Sequence, residues 1–168
     1  MTVTIGNFKI EAIFFDFDGV FTDNKVWISS RGIEFVACSK SDSLGLDDFR
    51  KFLLQERLQL RLALISKETN RIVVARAKKL NLECFTGIDN KADFIQNSCN
   101  VFPKEYIYFG NDTNDIEAMQ NAAHSLAPRD AHPAAAHAAS FLGKHDGGNG
   151  FVREGLEYIK HLMTKGTG

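Results

Sequence analysis

Short apolar runs alternate with stretches of helical periodicity along the chain. Ala12-Ile13-Phe14-Phe15 is unbroken and stops at Asp16, as a strand buried on both faces does. Val26-Trp27-Ile28 and Ile33-Glu34-Phe35-Val36 flank Ser29-Ser30-Arg31-Gly32, the pattern of a hairpin. Asp42 or Ser43 can cap a helix running to about Arg57, and Leu62-Ala63-Leu64-Ile65 is the next strand. Thr69 or Asn70 opens a helix that ends near Leu80, followed by a short strand at Cys84-Phe85. Asn90 begins a helix through about Cys99, and Tyr106-Ile107-Tyr108-Phe109 is a strand that meets Gly110-Asn111-Asp112. Thr113 or Asn114 caps a helix over Ile116 to Asn121. Ser125-Leu126-Ala127 and Phe141-Leu142 are brief strands, with an Ala-rich short helix over 131–139 between them. After the loop Gly147-Gly148-Asn149-Gly150, residues Phe151 to Met163 form an amphipathic helix. This order predicts an α/β fold, a doubly wound and mostly parallel sheet with helices on both faces. Ligands of such sheets bind outside the carboxyl ends of the strands.

Length sets the scale: 168 residues make a single domain, 1–168, with a sizeable core. A net charge of -1, from 20 basic and 21 acidic residues, offers no footprint for nucleic acid. No apolar run approaches a membrane span, and Met1 to Ile10 lacks the pattern of a secretory signal. Cys38, Cys84 and Cys99 are scattered and form no C-x-x-C pair, which suits buried thiols in a reducing cytoplasm. The 14 phenylalanines read as core.

Candidate chemistry gathers at the predicted strand ends. Asp16-Phe17-Asp18-Gly19-Val20-Phe21-Thr22-Asp23 directly follows an apolar run, and carboxylates two residues apart point to one side of the backbone. Burying both is costly unless a cation compensates, and oxygen ligands of this kind suit Mg²⁺. Gly19 permits a sharp turn and close backbone approach to a ligand. Ser66, directly after a strand, can hydrogen-bond a phosphate oxygen or simply cap a turn. Lys91 sits at a helix start, where the helix dipole favours an anion beside it; a solvated surface lysine is the plainer alternative. Gly110-Asn111-Asp112-Thr113-Asn114-Asp115 is either a metal or anion corner or an Asx-rich helix cap.

In this order, at successive strand ends, these residues resemble the haloacid dehalogenase superfamily of phosphatases. Its motifs would be Asp16 with Asp18, then Ser66, then Lys91, then Asn111 with Asp112 and Asp115. Ser41-Asp42-Ser43-Leu44-Gly45, Asp130-Ala131-His132-Pro133 and Gly147-Gly148-x-Gly150-x-Val152-Arg153-Glu154 resemble the capless sugar-phosphatase subgroup. That subgroup acts on 3-deoxy-D-manno-octulosonate 8-phosphate or on nine-carbon relatives such as 2-keto-3-deoxy-nononate 9-phosphate. Two positions depart from it. Asn111 stands where the subgroup carries an Asp metal ligand, and Asn149 stands where the octulosonate enzymes commonly carry Arg.

The resemblance implies that Asp16 attacks phosphorus and that Asp18 is the general acid and base. It implies Mg²⁺ held by Asp16, the Asp18 backbone carbonyl and Asn111, with Gly19, Ser66 and Lys91 on the substrate. Asp112 would reach the metal through water, and Asp115 would support Lys91 or the loop. The substrate would be a small phosphorylated sugar acid. Neither the interval from Gly19 to Ser66 nor that from Ser66 to Lys91 has room for a cap domain, and the subgroup closes its open site by forming a homotetramer. Val26-Trp27-Ile28 suits such a contact or intrachain packing. His124, His132, His137, His145 and His161 have no metal-ligand spacing and read as structural or surface residues. The competing readings are a phospho-accepting receiver and a catalytically weak regulatory or interaction domain.

Overall fold

The computed structural model describes residues 2–165. It opens on a hairpin that the apolar pattern does not predict, β1 (Val3–Ile5) with β2 (Phe8–Ile10). The strands are too short to show an alternation, yet Val3, Ile5 and Ile10 are all buried. The chain continues through β3 (Ala12–Phe15), β4 (Trp27–Ile28), β5 (Glu34–Phe35), α1 (Lys40–Gln55), β6 (Arg61–Ile65) and α2 (Arg71–Lys79). Then come β7 (Glu83–Phe85), α3 (Lys91–Asn97), β8 (Tyr106–Phe109), a 3-10 turn at Thr113–Asp115 and α4 (Ile116–Asn121). The last elements are β9 (His124–Ala127), α5 (Pro133–Ala138), β10 (Phe141–Leu142) and α6 (Phe151–Lys165).

The central sheet has the order β10-β9-β8-β3-β6-β7, and every pairing in it is parallel. Progression runs outward from β3 to β6 and β7 on one side, and through β8, β9 and β10 on the other. The crevice at this reversal, above β3 and β8, is where a doubly wound sheet binds ligands. Phe14 pairs with Ala63 on one side and Tyr108 on the other, so the neighbouring strand ends are level.

Alternation along β3 feeds two cores. Ile13 and Phe15 pack with Phe49, Phe109, Phe151 and Leu156 beneath α1 and α6. Ala12 and Phe14 face the other layer, with Ile95, Tyr106, Tyr108 and Met119 beneath α3 and α4. Both faces of the sheet are covered, which is why its strands read as continuous apolar runs.

Several predicted boundaries shift. Ser39, not Asp42 or Ser43, caps α1 by accepting from the Ser41 N–H. Asp42 lies inside the helix and turns its carboxylate to α6 instead. Asp112, not Thr113 or Asn114, caps the turn that leads into α4. Helix α1 stops at Gln55, because Arg57 adopts a left-handed φ of 54°, and α3 stops at Asn97. The three cysteines are free and half-buried rather than fully buried. The β4–β5 hairpin has Trp27 opposite Phe35. That hairpin and α1 are the regular elements between Gly19 and Ser66, and no cap domain stands over the crevice among the described residues. Among those residues no helix is long and apolar enough to cross a membrane.

Candidate active site

Asp16 leaves β3 with its backbone still tied to the sheet, its N–H donating to the Phe109 carbonyl at 2.9 Å. Its side chain is nearly buried, and Oδ1 accepts from the Phe17 N–H at 2.8 Å. Lys91 comes in from the start of α3, and its wholly buried Nζ lies 2.8 Å from Asp16 Oδ1 and 2.7 Å from Asp115 Oδ1. The solvated-lysine reading of Lys91 therefore fails.

Asp115 is the hub behind the site. Its Oδ1 also accepts from the Tyr108 hydroxyl at 2.8 Å, and its Oδ2 accepts from the N–H groups of Asn111 and Asp112 at 2.9 and 3.2 Å. It thus holds both the lysine and the loop. Tyr108 stays protonated, since burial and the Asp115 and Asp16 charges push its hydroxyl well above the ordinary range.

Charge is unbalanced here. Lys91 lies between two buried carboxylates, so with both ionised the group carries one negative charge in excess. Burial first, and then the Asp115 charge, raise Asp16 above the usual carboxylate range against the pull of Lys91. Burial alone would lower Lys91, but Asp16 and Asp115 outweigh it and raise it. An added cation beside Asp16 would relieve the excess.

Asp18 turns to the same side as Asp16, and both line a cavity of about 150 Å³ with Ser66, Asn111 and Asp112. Burial, then the charge of Glu68, raise the Asp18 carboxyl. Ser66 is fixed by backbone pairing, its N–H to the Phe85 carbonyl at 2.9 Å, and its Oγ accepts from the Glu68 N–H at 3.0 Å. Asn24, Lys67 and Glu68 also line the cavity and were not singled out from the sequence, and Asn114 lines it from the 110–115 corner. A second hollow of about 270 Å³ shares Asp18, Asn24 and Glu68 with it and extends to Val26, Glu34 and Ile72.

Among the described residues no group of three or more His, Cys, Asp or Glu side chains is placed to hold a metal. A mixed oxygen set is present, however. The Asn111 side-chain amide lies 3.2 Å from Asp16 Oδ2 and 2.8 Å from the Asp18 carbonyl oxygen. Gly19 makes room for it: its φ is 74°, and an added Cβ would sit 2.0 Å from Asn111 Nδ2. One carboxylate, one backbone carbonyl and one amide beside an excess negative charge fit a hard cation such as Mg²⁺.

Residues of the quoted motifs also shape the loops. Thr22 is buried, and its Oγ1 accepts from the Gly19 and Asn24 N–H groups, both at 3.2 Å. The His132 N–H donates to the Asn111 carbonyl at 2.8 Å. The His132 ring caps α5, and the His145 ring pairs with Glu154, so both histidines are structural.

With this geometry, the profile of the haloacid dehalogenase-like hydrolases matches residues 50–154. The chain belongs to that family. It is 27% identical over 163 residues to the 3-deoxy-D-manno-octulosonate 8-phosphate phosphatase of Escherichia coli K12, covering 94% of this chain and 82% of that protein. It is 30% identical over 154 residues to an N-acylneuraminate cytidylyltransferase of Oncorhynchus mykiss, covering 88% of this chain. The chain spans about a third of that protein, 34%. Among solved structures, the octulosonate 8-phosphate phosphatase of Moraxella catarrhalis superposes with a TM-score of 0.82 at 24% identity, covering 93% of this chain and 88% of that one. That structure contains magnesium, phosphate and the octulosonate; at this identity the likeness bears on the fold.

Proposed function

We propose that this chain is a Mg²⁺-dependent phosphatase acting on the terminal phosphate of a 3-deoxy-2-keto sugar acid, an octulosonate 8-phosphate or a nononate 9-phosphate. The observation that carries the reading is a carboxylate, Asp16, clamped by a buried lysine at 2.8 Å on the wall of a cavity that also holds Asp18 and Ser66. The likeness to the octulosonate phosphatase supports the eight-carbon acid, and the likeness to part of the cytidylyltransferase keeps the nine-carbon acid in view.

In the first step an Asp16 carboxylate oxygen bonds to phosphorus as the ester P–O bond breaks. The electron pair goes to the sugar oxygen, which takes the proton from Asp18. Asp18 carries that proton more readily because burial and Glu68 raise it. In the second step Asp18 takes a proton from water, the water oxygen bonds to phosphorus, and the bond from Asp16 breaks. Ser66 lines the cavity that would take the phosphoryl group, Gly19 leaves room for the Asn111 side chain, and Lys91 holds Asp16 in place and offsets charge spreading over the phosphoryl oxygens. Asp16, the Asp18 carbonyl and Asn111 would hold Mg²⁺, which supplies positive charge against the phosphate, with Asp112 at hand for a bound water.

The β4–β5 hairpin exposes Trp27, Ile28, Ile33 and Phe35, each more than half exposed, beside the larger hollow. An apolar patch of this kind on a small domain marks an interaction surface, and a second copy in a homotetramer would cover it and close the open site.

Purified protein tested against p-nitrophenyl phosphate and phosphorylated eight- and nine-carbon keto acids should release phosphate repeatedly with Mg²⁺, and fastest from one of the keto acids. A single stoichiometric phosphorylation without turnover would favour the receiver reading, and no phosphate release a regulatory domain.

A further inference from the structure

The Asn111 amide can present either its nitrogen or its oxygen to Asp16 Oδ2 and the Asp18 carbonyl, with opposite chemistry. With its oxygen turned to Asp16 Oδ2 and the Asp18 carbonyl, three acceptors meet with no donor among them, an arrangement that a cation satisfies. With its nitrogen turned there, the amide donates to both, at 3.2 Å to Asp16 Oδ2 and 2.8 Å to the Asp18 carbonyl. Asn111 is buried, so water offers these acceptors little in exchange.

The backbone of Asn111 is pinned on both sides. Its N–H donates to Asp115 Oδ2 at 2.9 Å, and its carbonyl accepts from the His132 N–H at 2.8 Å. Asn111 therefore changes partners by turning its side chain, with the loop fixed. An aspartate at this position could not do this. Its carboxylate presents oxygen in either orientation, and beside Asp16 it would add to the excess negative charge already present.

We infer that the Asn111 amide is a two-position latch: its nitrogen bridges Asp16 and the Asp18 carbonyl when no metal is bound, and it turns over to offer oxygen when a divalent cation enters. This rests on the metal site proposed above. The latch gives the metal-free site a satisfied state of its own. The cation must displace two hydrogen bonds to enter, so half-occupancy needs a higher free metal concentration than it would in a chain with Asp here.

The test is side-chain amide NMR on the ¹⁵N-labelled full chain, with the Asn111 pair assigned by its loss in Asn111→Asp. In EDTA-treated protein the Asn111 amide protons should exchange at least about tenfold more slowly than those of the exposed Asn149, because a hydrogen-bonded buried donor is protected. Titration with Mg²⁺ should shift the pair and remove that protection as the Phe17 and Gly19 backbone resonances move. By calorimetry, Asn111→Asp should bind Mg²⁺ at least about tenfold more tightly, a gain of about 1.4 kcal/mol. Unprotected Asn111 protons in the metal-free protein overturn the latch even if Mg²⁺ binds. Protection that persists while Phe17 and Gly19 shift overturns it as well, with the metal site intact. No backbone response to Mg²⁺ at Phe17 or Gly19 overturns the metal site and the latch together.

Discussion

Asp16 and Asp18 differ in what surrounds them, and the roles proposed for them rest on that difference. Asp16 is held at 2.8 Å by Lys91, whereas among the described residues no salt bridge holds Asp18, which lines the cavity with Glu68. Asp18→Asn should therefore fold as the wild type does and lower kcat by about 10²–10⁴-fold, the usual worth of a general acid and base. An activated ester such as p-nitrophenyl phosphate needs less leaving-group protonation, so it should lose less in its first, phosphoryl-transfer step. Single-turnover kinetics on both substrates checks this, and equal losses would move the acid elsewhere. Asp16, Asp18, Ser66 and Asn111 were legible in the sequence because each lies within three residues of the end of an apolar strand, so local order fixes where it goes. The roles of Tyr108 and Thr22 were not. Tyr108 looks like any strand aromatic until α4 and Asp115 lie over it, and Thr22 acts only because the chain turns back on Gly19.

Among the elements, the pairing of α1 with α6 was the least visible in the sequence. Asp42 reads as a cap for its own helix. It caps α6 instead, accepting from the Arg153 N–H at 3.0 Å and the Gly150 N–H at 3.4 Å. The signal is split across more than a hundred residues, so no local pattern contains it. Gly45 belongs to the same contact, since an added Cβ would lie 2.7 Å from Arg153 Cβ. On the far side of this helix start, Glu154 accepts from the Lys144 N–H at 2.9 Å, the His145 N–H at 3.1 Å and the His145 ring at 2.9 Å. Burial works to raise its carboxyl, but the His145 ring and these N–H groups outweigh burial and hold it below its ordinary value. A depressed folded pKa means stabilisation that is complete above the unfolded value, about 4.3, and lost as pH falls through the folded one. Glu154→Gln should be less stable than wild type at neutral pH, and the gap should close on acidification. Urea midpoints between neutral and acid pH measure it, and a gap independent of pH would contradict the assignment.

At the scale of the molecule, the parallel sheet was legible because its strands are buried on both faces and read as unbroken apolar runs. The N-terminal hairpin was not, because three-residue strands carry no period. The β4–β5 hairpin was legible as a hairpin, but its surroundings were not. Trp27 is 68% exposed, which settles against intrachain packing as its role. Trp27→Glu should leave the monomer's stability nearly unchanged, lower the mass seen by light scattering, and weaken hydrolysis of sugar-acid phosphates more than that of p-nitrophenyl phosphate. A wild type that is monomeric and fully active would remove the tetramer from the account.

The central claim is that Asp16 becomes phosphorylated during turnover. Acid quenching of wild type and Asp18→Asn within the first turnover, followed by proteolysis and mass spectrometry, tests it most directly. A phosphoryl adduct, labile to base as an acyl phosphate is, should appear on the peptide carrying Asp16. Asp16→Asn should form no adduct and release no phosphate. Phosphate release by Asp16→Asn at a rate near the wild type's, or an adduct on any other residue, would contradict it.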